Sequence, residues 1–462
     1  MKKIQLLLLL LPCSLFAQKD PWASLDSSII GGISKEILTH NFITDNLYHL
    51  TKKIGGRLAG SPQMAMAENW GATAMQKAGA NTVYKQQCLV PHWVRGKGDK
   101  AEVTITSNGK TTKHILNMLA LGNSLGTSNK GAQAPLIRIN NFAELELKKD
   151  AIKGCIVFFN QPFEEDFVET FKAYGKNGVY RTTSASKVAK LGGVGVIVRS
   201  LTHAADNNPH TGNMSYNDSF PKIPAIAIGL KEVALLNQAF DNKASINANI
   251  VTHGKMLPDT IGHNIIGELI GTENPNYIIT IGGHLDSWDV AEGAHDDGAG
   301  VVQTIEVLRV LKTIHYQPKN TIRFVLFANE ENGTRGAKKY AEQIGVNKEK
   351  PIFALESDAG GFTPRGFGFS VSDSVFNKLS SYKHLLAPYY GSIFTRSGGG
   401  ADIAPLKALY GTPLAGLQPD SQRYFDIHHA VTDVYENVHP RELKLGAVNM
   451  AALIYLVDKY GL

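Results

Sequence analysis

The chain has 462 residues, 43% of them hydrophobic, which supports two or three domains with real cores and argues against a disordered chain. Its 47 basic and 41 acidic residues leave a net charge of +6 without any basic run, so neither a nucleic-acid-binding stripe nor a polybasic membrane patch is indicated. Fifteen histidines against three cysteines turn any metal site towards nitrogen and oxygen donors.

In chain order, residues 1–17 read as a secretory signal peptide: Lys2 and Lys3, an apolar run from Ile4 to Phe16, and the small Ala17 ahead of Gln18. That run falls short of the ~20 apolar residues a spanning helix needs, and no later segment qualifies. The mature protein is therefore expected to be secreted or periplasmic, with no membrane span. Pro12 ahead of Cys13 argues against lipidation. Cys88 and Cys155 remain, and they read as free thiols rather than a bridge.

Ser61 as N-cap, Pro62 at the first helical position and Gly79 as terminator bracket a helix with Ala67, Trp70, Ala74, Met75 and Ala78 on one side. Strand-like pieces follow at 81–90 and 101–106. A Gly/Ser/Asn-rich stretch at 122–131 precedes short β-branched strands at 155–159, 194–198 and 223–228, read as an inserted domain over 127–251. From Met256 strands at 278–281, 322–327, 352–355 and 413–417 alternate with helices, one carrying Val301, Ile305, Leu308 and Leu311 at helical spacing. The alternation predicts an α/β fold: a mainly parallel central sheet with helices on both faces, formed discontinuously by 20–126 and 252–462.

In such a sheet the chemistry gathers beyond the carboxyl ends of the strands. His284 and Asp286 follow the first of these four strands, Glu330 and Glu331 the second, Glu356 and Asp358 the third. His428, His429 and Asp433 lie beyond the fourth, and Asp296-Asp297 opens the Val301 helix. One Asp before a helix is usually a cap and one histidine is usually structural, but so many converging ends exceed what capping explains. Two divalent ions fit them better than one: Asp296, Glu331, Asp358 and a bridging hydroxide balance the charge, and His284 and His429 supply neutral nitrogen. Asp286 and Asp433 are spaced to accept the other ring N–H of His284 and His429. Glu330, left without a ligand role, becomes the general base. His295 and His428 read as loop and packing residues and Asp297 as a helix cap. The nucleophile-elbow pattern at Gly122–Gly126 has no helix after it and is set aside.

Gly-Gly-His-Leu-Asp-Ser-Trp-Asp at 282–289, Ala-His-Asp-Asp-Gly at 294–298, Glu-Glu at 330–331, Glu-Ser-Asp-Ala-Gly at 356–360 and the second histidine of the 428–429 pair resemble the di-zinc exopeptidase family of aminopeptidase Y and glutamate carboxypeptidase. Within it they resemble the carboxypeptidase Q branch, and Tyr180-Arg181, His210-Thr-Gly and Pro221-Lys-Ile-Pro-Ala look like that branch's inserted β-rich protease-associated domain. The resemblance implies two zinc ions per chain, one on His284 and Asp358, the other on Glu331 and His429, with Asp296 bridging. It implies Glu330 as the catalytic base with Asp286 in the catalytic set, and Asp433 in support of the ligands. Gly400 and Asp402 would line the substrate pocket, although the glycines and Ala401 depart from the family's more polar pattern. Arg181 would hold a substrate carboxylate if the inserted domain folds over the pocket. The implied activity is hydrolysis of dipeptides or short peptides by a homodimer, with dipeptidase or carboxypeptidase and aminopeptidase action both open. A single-zinc glutaminyl cyclase is disfavoured by Asp296 and the inserted domain, and a non-enzymatic receptor-like relative by the filled ligand positions.

Overall fold

The computed structural model describes residues 21–462, so the expected signal peptide and Cys13 lie outside the described residues. Among the described residues sixteen strands follow one another: β1 (Thr82–Val94), β2 (Lys100–Ser107), β3 (Lys110–Leu116), β4 (Met118–Ala120), β5 (Ala132–Ile139), β6 (Ile156–Phe159), β7 (Gly195–Arg199), β8 (Ala225–Ile228), β9 (Ser245–Val251), β10 (Lys255–Leu269), β11 (Asn274–His284), β12 (Asn320–Phe327), β13 (Lys350–Glu356), β14 (Pro364–Ser370), β15 (Ile393–Thr395) and β16 (Leu414–Pro419). They form two eight-stranded sheets, β1-β10-β12-β11-β13-β16-β14-β15 and β3-β2-β9-β5-β6-β7-β8-β4.

The first sheet is parallel only in part. β12, β11, β13 and β16, the four strands predicted from periodicity, run parallel in the centre. β1, β10 and β14 pair antiparallel, which corrects the expectation of a mainly parallel sheet to a mixed one. The physical reason lies in exposure. β1 and β10 leave Leu89 and Ile261 open to solvent, and a strand wet on one face needs no crossover helix to cover it. β14 reads Pro-Arg-Gly-Phe-Gly-Phe-Ser, whose glycines hide it as a loop.

The central strands are buried on both faces. On one, Ile279, Ile281, Phe324, Leu326, Phe353 and Leu355 pack with the helices Ala299–Thr313 and Pro440–Tyr460. On the other, Ile278, Val325, Phe327 and Ala354 pack with Tyr340 and Ile344 of Arg335–Val346 and with Leu406 of Ala404–Tyr410. Alternate residues of one strand thus face opposite layers, as the pleat requires. The bracketed helix forms as expected over Pro62–Ala78: the Ser61 hydroxyl accepts the Met64 N–H at 3.1 Å, and Gly79 ends it at φ +95°.

The second sheet, with the helices Phe142–Leu147, Thr170–Lys190 and Leu230–Asp241, makes the inserted module. Its pairings reach back before residue 127. β2 pairs with β9 and β4 with β8, so residues 100–120, assigned from the sequence to the first unit, belong to this sheet. Cys88 is buried and Cys155 partly buried, and neither is in a disulfide. No helix among the described residues is long and apolar enough to cross a membrane.

Candidate metal centre

Strand register assembles the site. β12, β11 and β13 are neighbours, with His284 opposite Phe327 and Gly282 opposite Glu356. At a strand spacing of about 4.8 Å, residues just past those ends meet above the sheet. His284 Nε2 lies 3.2 Å from Asp296 Oδ1 and 3.4 Å from Asp358 Oδ1. His429 Nε2 lies 3.1 Å from Asp296 Oδ2 and 3.1 Å from Glu331 Oε2. The five residues predicted as ligands therefore converge in two groups that share one carboxylate. His428 joins them, with Nε2 3.5 Å from Asp296 Oδ2 and its ring stacked on His429 at 3.5 Å.

The supports differ from expectation. His284 Nδ1 bonds the main-chain carbonyl of Asp286 at 2.9 Å, while the Asp286 carboxylate is 3.7 Å away and instead accepts the Glu330 N–H at 3.0 Å and the Glu331 N–H at 3.3 Å. His429 Nδ1 meets the Thr211 carbonyl at 3.3 Å, not Asp433. Asp433 accepts the amides of His295 at 2.7 Å and Asp296 at 3.1 Å. Both carboxylates thus fix the backbone beneath the ligands, because a turn presents amides more closely than the ring nitrogens expected from spacing. Asp297 takes the His284 N–H at 3.1 Å and caps the first turn of the following helix through the Gly300 N–H at 2.9 Å. The Asp296–Asp297 peptide is cis.

Whether the set fits a cation is tested by its protons and charges. With each Nδ1 turned to a carbonyl, the N–H belongs there, and each Nε2 faces carboxylate oxygens, a position that calls for positive charge: a second proton on the ring or a cation bound to its lone pair. Asp296 Oδ2 is buried and accepts no hydrogen bond. Burial, then repulsion from Asp296, pushes Glu331 up to about 7; burial, then Asp358, pushes Glu356 up to about 8. Burial also raises Glu330 well above the carboxylate range, with Asp358, Glu331 and Asp286 adding to it against the pull of His284. Burial would lower His429, but Glu331 and Asp296 outweigh it and hold the ring at about 10. This is the signature of a site short of positive charge, which divalent cations supply.

Arg57 was not singled out from the sequence. It is fully buried, binding the carbonyls of Leu285 (2.5 Å), Glu292 (2.7 Å) and Gly293 (3.1 Å), and it shapes the loop that carries Asp286. An isolated arginine offers no signal by spacing. Trp288, Val290, Ala291, Gly293, Asp296, Glu331, His429, Ala430 and Asp433 line a cleft of about 180 Å³.

Two expected substrate contacts, Asp402 and Gly400, sit behind the site. Asp402 is fully buried, and the amides of Asp402 and Ile403 bind Glu356 Oε2 at 3.1 and 3.0 Å. A side chain at Gly400 would run into the same carboxylate, so the glycines let this loop close behind the site rather than line it. Arg181 is buried too, with Nη2 2.7 Å from the Tyr174 hydroxyl and Nε unpaired. His295 is structural: Nδ1 accepts the Gly361 N–H at 3.1 Å, Nε2 lies 3.1 Å from the Asn437 carbonyl, and the ring stacks on Phe362.

Residues 264–454, which contain every one of these ligand candidates, match a model described as peptidase family M28. Carboxypeptidase Q of Mus musculus is 31% identical over 88% of this chain and 84% of its own length. The chain belongs to peptidase family M28. A solved M28 peptidase precursor from Shewanella amazonensis, 28% identical, superposes with a TM-score of 0.88 over 94% of this chain and 97% of that one. BSAP, a zinc aminopeptidase from Bacillus subtilis, matches at a TM-score of 0.63 and 21% identity over 90% of this chain and 94% of its own, and shares the fold. This M28 chain is a metallopeptidase whose relatives are exopeptidases, carboxypeptidases and aminopeptidases among them.

Proposed function

We propose that the chain is an exported di-zinc exopeptidase that hydrolyses dipeptides or short peptides in the manner of carboxypeptidase Q. The observation that supports this most is the Asp296 carboxylate, with Oδ1 3.2 Å from His284 Nε2 and Oδ2 3.1 Å from His429 Nε2, while the same two ring nitrogens lie 3.4 Å from Asp358 Oδ1 and 3.1 Å from Glu331 Oε2 respectively. His284 and Asp358 would hold one ion, Glu331 and His429 the other, and Asp296 both. Zinc held there would polarise the scissile carbonyl and make water a usable nucleophile near neutral pH.

The chain's own residues do the rest. Glu330 is partly exposed, its amide is pinned by Asp286, and it adjoins the ligand candidate Glu331, so its carboxylate would take a proton from water and return it to the departing amine. Trp288 and Val290 give the cleft an apolar wall. Among the described residues the Arg181 guanidinium is buried beside Tyr174, which packs on His428, and it bonds the Tyr174 hydroxyl rather than a carboxylate while its Nε has no partner. A buried cation without an anion supports recognition of a free substrate carboxylate, hence the carboxypeptidase or dipeptidase end of the class.

Glu330→Gln should keep zinc bound while turnover falls by about two to four orders of magnitude. Unchanged turnover removes Glu330 from its role. Dipeptides blocked at one end decide direction: loss of cleavage on C-terminal amidation supports the carboxylate reading, and loss on N-acetylation supports an aminopeptidase. One zinc per chain would favour the cyclase alternative. The charged, apolar and small-residue segments of 1–17 support export, which N-terminal sequencing of the secreted protein would check; sedimentation would check the homodimer.

A further inference from the structure

The loop bearing His428 and His429 is gripped from the inserted module. His429 sits at φ +61°, a left-handed conformation that is uncommon for a residue with a side chain and that contacts around it can hold. Those contacts come from His210 and Thr211. His210 Nδ1 lies 2.7 Å from the His428 carbonyl, the Thr211 N–H donates to the His429 carbonyl at 3.0 Å, and the Thr211 carbonyl meets His429 Nδ1 at 3.3 Å. This segment is itself anchored within the module. The His210 N–H donates to Ser200 Oγ at 2.9 Å, Thr211 Oγ1 to the Ala120 carbonyl at 2.9 Å, and the Gly122 N–H to the Gly212 carbonyl at 2.9 Å. Farther along the loop, Thr170 Oγ1 donates to the Ser421 carbonyl at 2.8 Å, and Phe171 stacks on Tyr424 at 5.3 Å. No hydrogen bond from the module reaches His284 or Asp358 among the described residues; His284 is held by the Asp286 carbonyl just past its own strand and by Asp297 at the start of the following helix.

We propose that the inserted module is the positioning frame for one half of the metal centre, with His210 as its positioning residue: it holds the His428–His429 loop so that the cation position of His429 and Glu331 is complete only while the module is docked. His210 touches neither cation nor substrate in this role. Its Nδ1–H fixes the carbonyl before His429, the neighbouring Thr211 backbone pins both the amide-plane orientation and the ring tautomer of His429, and Nε2 is thereby directed at Asp296 and Glu331. The inference rests on the two-metal reading above, and it predicts an asymmetry that reading alone does not: disturbing the module should weaken one position and spare the other.

The test is a zinc titration of the metal-free full-length protein against a chromophoric competitor, with thermal melting of the metal-free protein in parallel. The wild type should take two zinc ions. His210→Phe, which keeps bulk but removes the donor, should weaken one position by about tenfold to a hundredfold and leave the other within about twofold. His210→Asn, which restores a donor near the place of Nδ1, should recover most of the lost affinity. Thr170→Val, at the far anchor of the same loop, should weaken the same position in the same direction by less, and it serves if the His210 variants fail to fold. Equal affinities in all variants overturn the proposal, and so does an equal loss at both positions that His210→Asn does not restore. Two ions in the wild type with unaffected variants sink this inference alone, whereas one ion in the wild type sinks the two-metal reading and this with it.

Discussion

The His284 half of the centre stands on strand ends, and the His429 half stands on a loop. His284 closes β11, Asp358 lies two residues past β13, and the His284 amide donates to Asp297 at the head of the helix that follows. His429 lies ten residues past β16 in a left-handed turn, and its ring and backbone are held by Thr211, over two hundred residues earlier in the chain. A ligand on a parallel strand end inherits its position from the core beneath it. A residue on a loop takes its position from what packs against the loop, and here Thr211, packed beside the second sheet, makes those contacts to His429.

The variants that break or sharpen this contrast differ in expected size. Asp296→Ala strikes both halves at once, and bound zinc and peptidase activity should both fall to background in metal analysis and turnover assays. Asp286→Asn strikes the strand end that carries Glu330 and Glu331: one fewer acceptor faces their amides, and activity should fall by about tenfold to a hundredfold with the melting temperature little changed. Gly122→Ala strikes the loop half. A Cβ there would run into the indole of Trp288, whose ring lies 5.7 Å from that of His429, so a loss of about 1–3 kcal/mol in denaturant unfolding is expected along with weaker zinc binding. Ser61→Ala touches neither half, and losing its cap on Met64 should cost about 1 kcal/mol in stability while kcat stays the same.

What could be read from the sequence follows the same division. His284, Glu330, Glu331 and Asp358 were legible because each follows an apolar strand within a few residues, so periodicity alone places them at one edge. His429 was legible as a residue type beyond a strand, but not its partner: nothing in the spacing of 428–433 says that Thr211 rather than Asp433 meets its ring. Arg57 and His210 were invisible as functional residues because their contacts are to backbone carbonyls, which leave no pattern in side-chain identity. The antiparallel margins of the first sheet were missed where β1 and β10 are half wet and β14 is interrupted by glycine. The limits of the inserted module were misplaced because β2 to β4 carry no composition change, and only pairing with β8 and β9 assigns them.

Anomalous diffraction at the zinc edge, on crystals of the zinc-loaded protein, tests most directly whether one aspartate joins two metal positions. Two peaks are expected, both against Asp296, one completed by His284 and Asp358 and the other by Glu331 and His429. A single peak, or two peaks that do not share Asp296, would contradict it.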